Sequence, residues 1–240
     1  MKTILILGGS SDLAKEFILD IDENDKQFLL QCHSNEESLR SFCKDLKATS
    51  HIFRADLASE DFTIKMLDEM SLICDAPDGI IFFQAPKYYQ ERFSKLMWNN
   101  FQAEIDIQLR ATFLTLSKFL PAMAKKKQGK VLALLSSVTT NLPPSSLCHY
   151  VTAKYALLGL MKSLSVEFAS KNIQINSLSP FMVDTKFLSN THERIIEITA
   201  ENHPLKRIAS KKDILGAIRF LMSDEANYVN GINLPITGGI

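Results

Sequence analysis

One stretch of this chain holds the side chains that could move a proton to or from a carbonyl oxygen. Between Val131 and Phe168 an apolar segment ends in Ser136-Ser137, a polar turn follows, and Tyr150-Val151-Thr152-Ala153-Lys154 opens an apolar-rich run. If that run is a helix, a separation of four puts Tyr150 and Lys154 on one face, a turn apart. A free phenol titrates near ~10, and an ammonium a few Å away favours the phenolate, so Lys154 is expected to draw Tyr150 toward neutrality. Tyr150 then becomes a usable acid or base. Ser137 ends the apolar segment, where open parallel sheets place their ligands, and its hydroxyl can donate to a substrate oxygen. Together these groups suit carbonyl and alcohol chemistry.

The elements that must position them read as alternating strands and helices. Ile4 to Leu7 is a short apolar run stopped by Gly8-Gly9, the pattern of a strand buried on both faces. Ser10, Ser11, Asp12 and Leu13 open the next helix at once, so loop and helix start present backbone N–H groups to an anion such as a dinucleotide pyrophosphate. Asp12 is an acid beside that anion and must turn toward the loop backbone if phosphates are to bind. Further strands are expected at Gln27–Cys32, Ile52–Leu57, Asp78–Phe83 and Ile173–Leu178, with helices at Glu36–Leu46, Glu60–Met70, Phe101–Met123 and Tyr150–Ser170. The β-α alternation implies a single α/β domain, a doubly wound parallel sheet with helices on both faces. In the helix expected over 101–123, Phe101, Ile105, Leu109, Phe113, Leu116 and Leu120 form the apolar stripe.

Composition narrows the partners. The 240 residues carry a formal net charge of +0, with 46% hydrophobic residues. The one basic run, Lys125-Lys126-Lys127 with Lys130, falls at an expected helix end, where cations complement exposed carbonyls. No nucleic-acid surface is indicated. The four cysteines make no Cys-x-x-Cys pair and no metal-spaced cluster, so the expectation is a reducing cytoplasm without a structural metal. Nothing approaches the ~18 apolar residues of a membrane span.

The order strand, Ser-Ser, polar turn, Tyr-x-x-x-Lys resembles the short-chain dehydrogenase/reductase family, whose catalytic serine lies about a dozen residues before its tyrosine. The resemblance implies a Rossmann-type domain, with Ser137, Tyr150, Lys154 and, at the position of the family's catalytic asparagine, Gln108 as catalytic residues. It extends to the glycine loop, where Gly8 stands at the first glycine and Ala14 at the last, and to Asp56-Leu57, whose aspartate contacts adenine. It extends also to Ala85 within Phe83-Gln84-Ala85-Pro86, and to Pro180 and Val183 in a loop folding round the nicotinamide. A substrate lid is expected at about 185–208, and the apolar helices suit a homodimer or homotetramer. NAD-selective sheets end their second strand in an acid; His33, Ser34 and Asn35 follow Cys32 here and could donate to a 2′-phosphate, which favours NADP(H) and leaves NAD(H) open. The implied activity is hydride transfer to or from a carbonyl substrate, a 3-oxoacyl thioester first. A sugar or secondary-metabolite precursor remains the alternative, as does a nucleotide-binding scaffold that has lost turnover.

Overall fold

The short apolar runs become the strands β1 (Lys2–Leu7), β2 (Lys26–Cys32), β3 (Thr49–Arg54), β4 (Gly79–Phe82), β5 (Gly129–Leu134), β6 (Ile173–Pro180) and β7 (Asn233–Ile236). In the computed structural model, which describes residues 2–240, they form one sheet in the order β3-β2-β1-β4-β5-β6-β7, every neighbouring pair parallel. The chain winds outward from β1 in one direction and from β4 in the other. The strand order therefore reverses between β1 and β4, and a crevice opens outside their carboxyl ends.

Successive side chains of each strand serve opposite faces. Leu5 and Leu7 join the layer of α3 (Glu60–Ile73), α5 (Ala111–Lys126) and α6 (Cys148–Glu167), where Met66, Met70, Phe119, Met123, Leu157 and Met161 are buried. Ile4 and Ile6 join the layer of α1 (Asp12–Asp20), α2 (Glu36–Cys43) and α8 (Lys211–Met222), through Phe17, Ile18, Leu39, Ile214 and Ile218. Helices thus cover both faces, as expected for a doubly wound sheet.

The helix expected over 101–123 differs from expectation. It runs from Trp98 to Lys126 in two pieces, α4 (Trp98–Glu104) and α5, joined by a π-helical turn over Ile105–Arg110. A π turn closes five residues on instead of four, so the helix beyond it is rotated relative to a regular spacing. The anticipated stripe holds at buried Leu116 and Leu120 and breaks before them. Phe113 is 53% exposed, whereas Glu104, Gln108 and Thr112 are buried against the molecule.

Smaller differences concern ends. β3 starts at Thr49 and stops at Arg54, leaving Ala55-Asp56-Leu57 as a turn, and α6 starts two residues early, at Cys148. After β6 come a 3₁₀ turn at Lys186–Leu188 and α7 (Glu193–Asn202), which together fill the stretch before α8. No helix of the described residues is long and apolar enough to cross a membrane.

Candidate active site

The carboxyl ends of the central strands open on one cleft of about 680 Å³. At its outer end the loop after β1 lies directly on the end of β4. Gly8 has φ +76°, and a Cβ there would stand 2.7 Å from the Gln84 backbone nitrogen, so only glycine lets the two backbones approach. Buried Gln31 clamps the loop from β2: its Oε1 accepts from Gly8 N at 2.8 Å, and its Nε2 donates to the Ala55 carbonyl at 2.9 Å. Ser11 caps α1, its hydroxyl accepting from Ala14 N at 3.2 Å. Ser10, Ser11, Asp12 and Leu13 line the cleft, so the first-turn N–H groups, which have no acceptor inside the helix, are available to an anion there.

Asp12 turns to a different partner from the one expected. Its Oδ2 accepts from Lys186 N at 2.9 Å, and the Lys186 ammonium stands 3.9 Å from Oδ1. The carboxylate is engaged by the segment after β6 and not by the loop backbone. Farther out, His33, Ser34, Asp56 and Leu57 line the wall; His33 Nε2 lies 3.9 Å from Asp56 Oδ2, and Asp56 Oδ1 accepts from Ala58 N at 2.9 Å. Ala85, Pro180 and Val183 line the same cleft. All the residues expected to bind a dinucleotide are therefore brought together. A pyrophosphate cradle at one end and Tyr150 at the other fit such a group.

Tyr150 and Lys154 project into the cleft from the first turns of α6. The Lys154 Nζ stands 5.5 Å from the centre of the Tyr150 ring and donates to the Leu134 carbonyl at 2.8 Å. Tyr88 and Phe187 cover the phenol, their ring centres 6.1 and 6.4 Å from that of Tyr150 and 5.6 Å from each other. This cover overturns one expectation. Desolvation pushes the Tyr150 pKa up, against an opposing hydrogen bond from Ser136, and the Glu104 and Tyr88 charges push it further up. Burial likewise lowers Lys154 to about 8, with Glu104 acting the other way. Desolvation, the largest of these effects, sets the direction of the shift.

Ser136 and Ser137 both line the cleft beside Tyr150. The Ser136 hydroxyl accepts from Val138 N at 3.4 Å, and Ser137 begins a 3₁₀ turn in which its carbonyl accepts from the Thr140 hydroxyl at 2.8 Å.

Three further side chains around the site have identified partners. Gln84, in the segment after β4, donates through Nε2 to Thr112 Oγ1 at 3.0 Å, and Thr112 donates to the Gln108 carbonyl at 2.7 Å, tying the sheet to the π turn. Gln108 does not line the cleft; it is fully buried and its Nε2 donates to Glu104 Oε2. Phe181 lies against His203, ring centres 5.5 Å apart. Sequence reasoning missed Glu104. Burial raises its pKa to about 7, opposed by the Gln108 hydrogen bond and the Lys154 charge. An acid four residues before Gln108 was the available signal, masked by the assumption of a regular helix.

A parallel, doubly wound sheet with an anion loop after its first strand and a Tyr-x-x-x-Lys helix at its switch-point cleft defines a Rossmann-type nucleotide fold. Comparison with known proteins narrows this. A family model described as enoyl-(acyl carrier protein) reductase matches residues 20–240. The chain is 25% identical over 240 residues to acetoacetyl-CoA reductase of Allochromatium vinosum, covering 98% of this chain and 97% of that one. It is 27% identical over 243 residues to 3-oxoacyl-[acyl-carrier-protein] reductase FabG of Rickettsia prowazekii, covering 100% and 96%. Among solved structures, levodione reductase superposes with a TM-score of 0.87 at 24% identity, covering 99% of this chain and 96% of that one. ElxO with NADP bound gives 0.86 at 21%, and NAD+-bound xylitol dehydrogenase 0.87 at 20%, each covering 99% and 98%. The chain belongs to the short-chain dehydrogenase/reductase family of oxidoreductases.

Proposed function

We propose that this protein interconverts a carbonyl and an alcohol with a nicotinamide cofactor, through Ser137, Tyr150 and Lys154. The observation that carries the reading is the pair Tyr150 and Lys154 on one helix, both lining the cleft together with Ser137. When bound, the cofactor supplies the hydride. Tyr150 gives its proton to the substrate oxygen, and the Ser137 hydroxyl donates to that oxygen as negative charge develops. The Lys154 ammonium faces the phenolate that results and stabilises it. Tyr88 and Phe187 exclude water from the phenol, which strengthens each of these interactions.

The substrate is a 3-oxoacyl thioester in this reading. Two relatives are named for reduction of such compounds, and Leu142, Pro144 and Phe187 make an apolar wall for an acyl chain. NADP(H) is the preferred cofactor, because His33, Ser34 and Asn35 offer donors where an acid would repel a 2′-phosphate. Phe113 on α5 and Tyr155 and Val166 on α6, all exposed, suit the interface of a homodimer or homotetramer. Fluorescence titration with NADPH and NADH at equal concentrations, followed by turnover of acetoacetyl-CoA, tests the reading. Tighter binding of NADPH and measurable turnover support it. Tighter binding of NADH removes the cofactor preference, and binding of neither removes the catalytic reading.

A further inference from the structure

The acid in the loop after β1 is tied to a segment 174 residues away in the chain. Asp12, the first residue of α1, accepts from Lys186 N through Oδ2 at 2.9 Å, and Lys186 opens the 3₁₀ turn Lys186–Leu188. The first N–H of such a turn has no acceptor inside it, so the carboxylate satisfies it from outside. The next residue, Phe187, lies against both Tyr88 and Tyr150, and Asn190 Nδ2 donates to the Tyr88 carbonyl at 3.3 Å. Residues 186–190 are thus fastened at one end to the start of α1 and at the other to the loop after β4. In the sheet, β6 is separated from β1 by β5 and β4, so a segment that leaves β6 and reaches α1 spans the cleft. Asp12, Tyr88, Lys186 and Phe187 all line it.

The backbone N–H, and not the ammonium, carries this tie. The Lys186 side chain is 92% exposed with its Nζ 3.9 Å from Asp12 Oδ1, a pair that water screens. Lys211, the other cation on this side, is held by Glu16 at 2.6 Å. A hydrogen bond from an N–H to a charged acceptor is stronger than one to a neutral group. The same carboxylate repels an anion at the N–H groups of its helix turn. Its net effect on a dinucleotide therefore has a sign that experiment can read: repulsion speeds departure, and a fastened strap slows it.

We propose that Asp12 is a positioning residue: through the Lys186 backbone N–H it latches the strap 186–190 across the cleft and slows release of the bound dinucleotide. The inference rests on the nicotinamide-nucleotide reading of the cleft. Opening the strap breaks the Asp12–Lys186 and Asn190–Tyr88 hydrogen bonds and lifts Phe187 from Tyr88 and Tyr150. One movement thus frees the phosphate end of the cleft and uncovers the phenol at its other end, which couples cofactor departure to loss of the dry catalytic site.

Release of NADPH, followed by its fluorescence in stopped flow on displacement by excess NADP+, tests the latch. Asp12→Ala is expected to raise the release rate about tenfold, and Asp12→Asn, whose amide oxygen still accepts the Lys186 N–H, to raise it less. Lys186→Pro removes that N–H at the first position of a turn, where a proline ring is tolerated, and Thr185 before it is already extended. It should match Asp12→Ala, and the double variant should release no faster than either single one. Lys186→Met keeps the N–H and should stay within about threefold of the wild type. A release rate in Asp12→Ala equal to or below that of the wild type overturns the proposal, because the carboxylate then only repels phosphates. Effects of Asp12→Ala and Lys186→Pro that multiply overturn it too. Hydrogen exchange of the protein without cofactor gives the second readout: residues 185–191 should exchange about tenfold faster in Asp12→Ala, and unchanged protection overturns the latch. Binding of neither NADPH nor NADH by the wild type would remove the nucleotide reading and the proposal with it, and the exchange result tells that outcome apart from failure of the latch itself.

Discussion

Two lysines are buried among the described residues, and they sit at opposite ends of the same sheet. Lys130 enters from the start of β5, where its Nζ donates to Asn227 Oδ1 at 2.7 Å and Gln174 Oε1 at 3.3 Å. Lys154 lies beyond the carboxyl end of β5 and donates to the Leu134 carbonyl at 2.8 Å. Burial lowers the pKa of both. A displaced pKa therefore does not distinguish a working lysine from a structural one. The neighbours do. Lys130 is held by two neutral amides, whereas Lys154 lines the cleft beside the Tyr150 phenol.

The contrast can be broken most forcefully by exchanging each lysine for methionine. Lys154→Met should cut turnover of acetoacetyl-CoA by about 10²–10³-fold, while Lys130→Met should leave it within about twofold. Equal losses measured in a steady-state assay would mean that both lysines act through folding. The adjacent serines sharpen the comparison further. Ser137→Ala should lower kcat about 10²-fold by removing a donor to the developing oxyanion, and Ser136→Ala should stay within about threefold. The reverse ranking would move the role to Ser136.

Stability against pH gives the smallest effect. Folding raises Glu104 from 4.5 to about 7, so the native state binds the extra proton between those values. Wild-type stability should fall relative to Glu104→Gln as pH rises from 4.5 through 7. Folding lowers Lys154 from 10.5 to about 8, so the unfolded state binds the extra proton there. Wild-type stability should then rise relative to Lys154→Met as pH goes from 8 to 10.5. Urea titrations at fixed pH values measure both slopes, and parallel curves for wild type and variant would remove the corresponding shift.

Much of this site could be read from residues alone, for reasons that differ along the chain. Short apolar runs ended by glycine or polar turns made β1, β2, β4 and β6 visible, because parallel strands are buried on both faces. The spacing of Tyr150 and Lys154 fixed their shared face as soon as a helix was assumed. What stayed hidden depended on backbone geometry that no pattern of hydrophobicity encodes. The π turn at Ile105–Arg110 carried Glu104 and Gln108 inward and Phe113 outward. The sign of the Tyr150 shift was missed because desolvation by Tyr88 and Phe187 comes from segments remote in sequence, while the charge of Lys154 is visible one helical turn away.

The central claim is that Tyr150 transfers the proton in a carbonyl reduction. Its most direct test is turnover of acetoacetyl-CoA by Tyr150→Phe, with NADPH affinity measured on the same preparation. Loss of about 10²–10⁴-fold in kcat with NADPH binding unchanged is the predicted result. Wild-type turnover in Tyr150→Phe would contradict it.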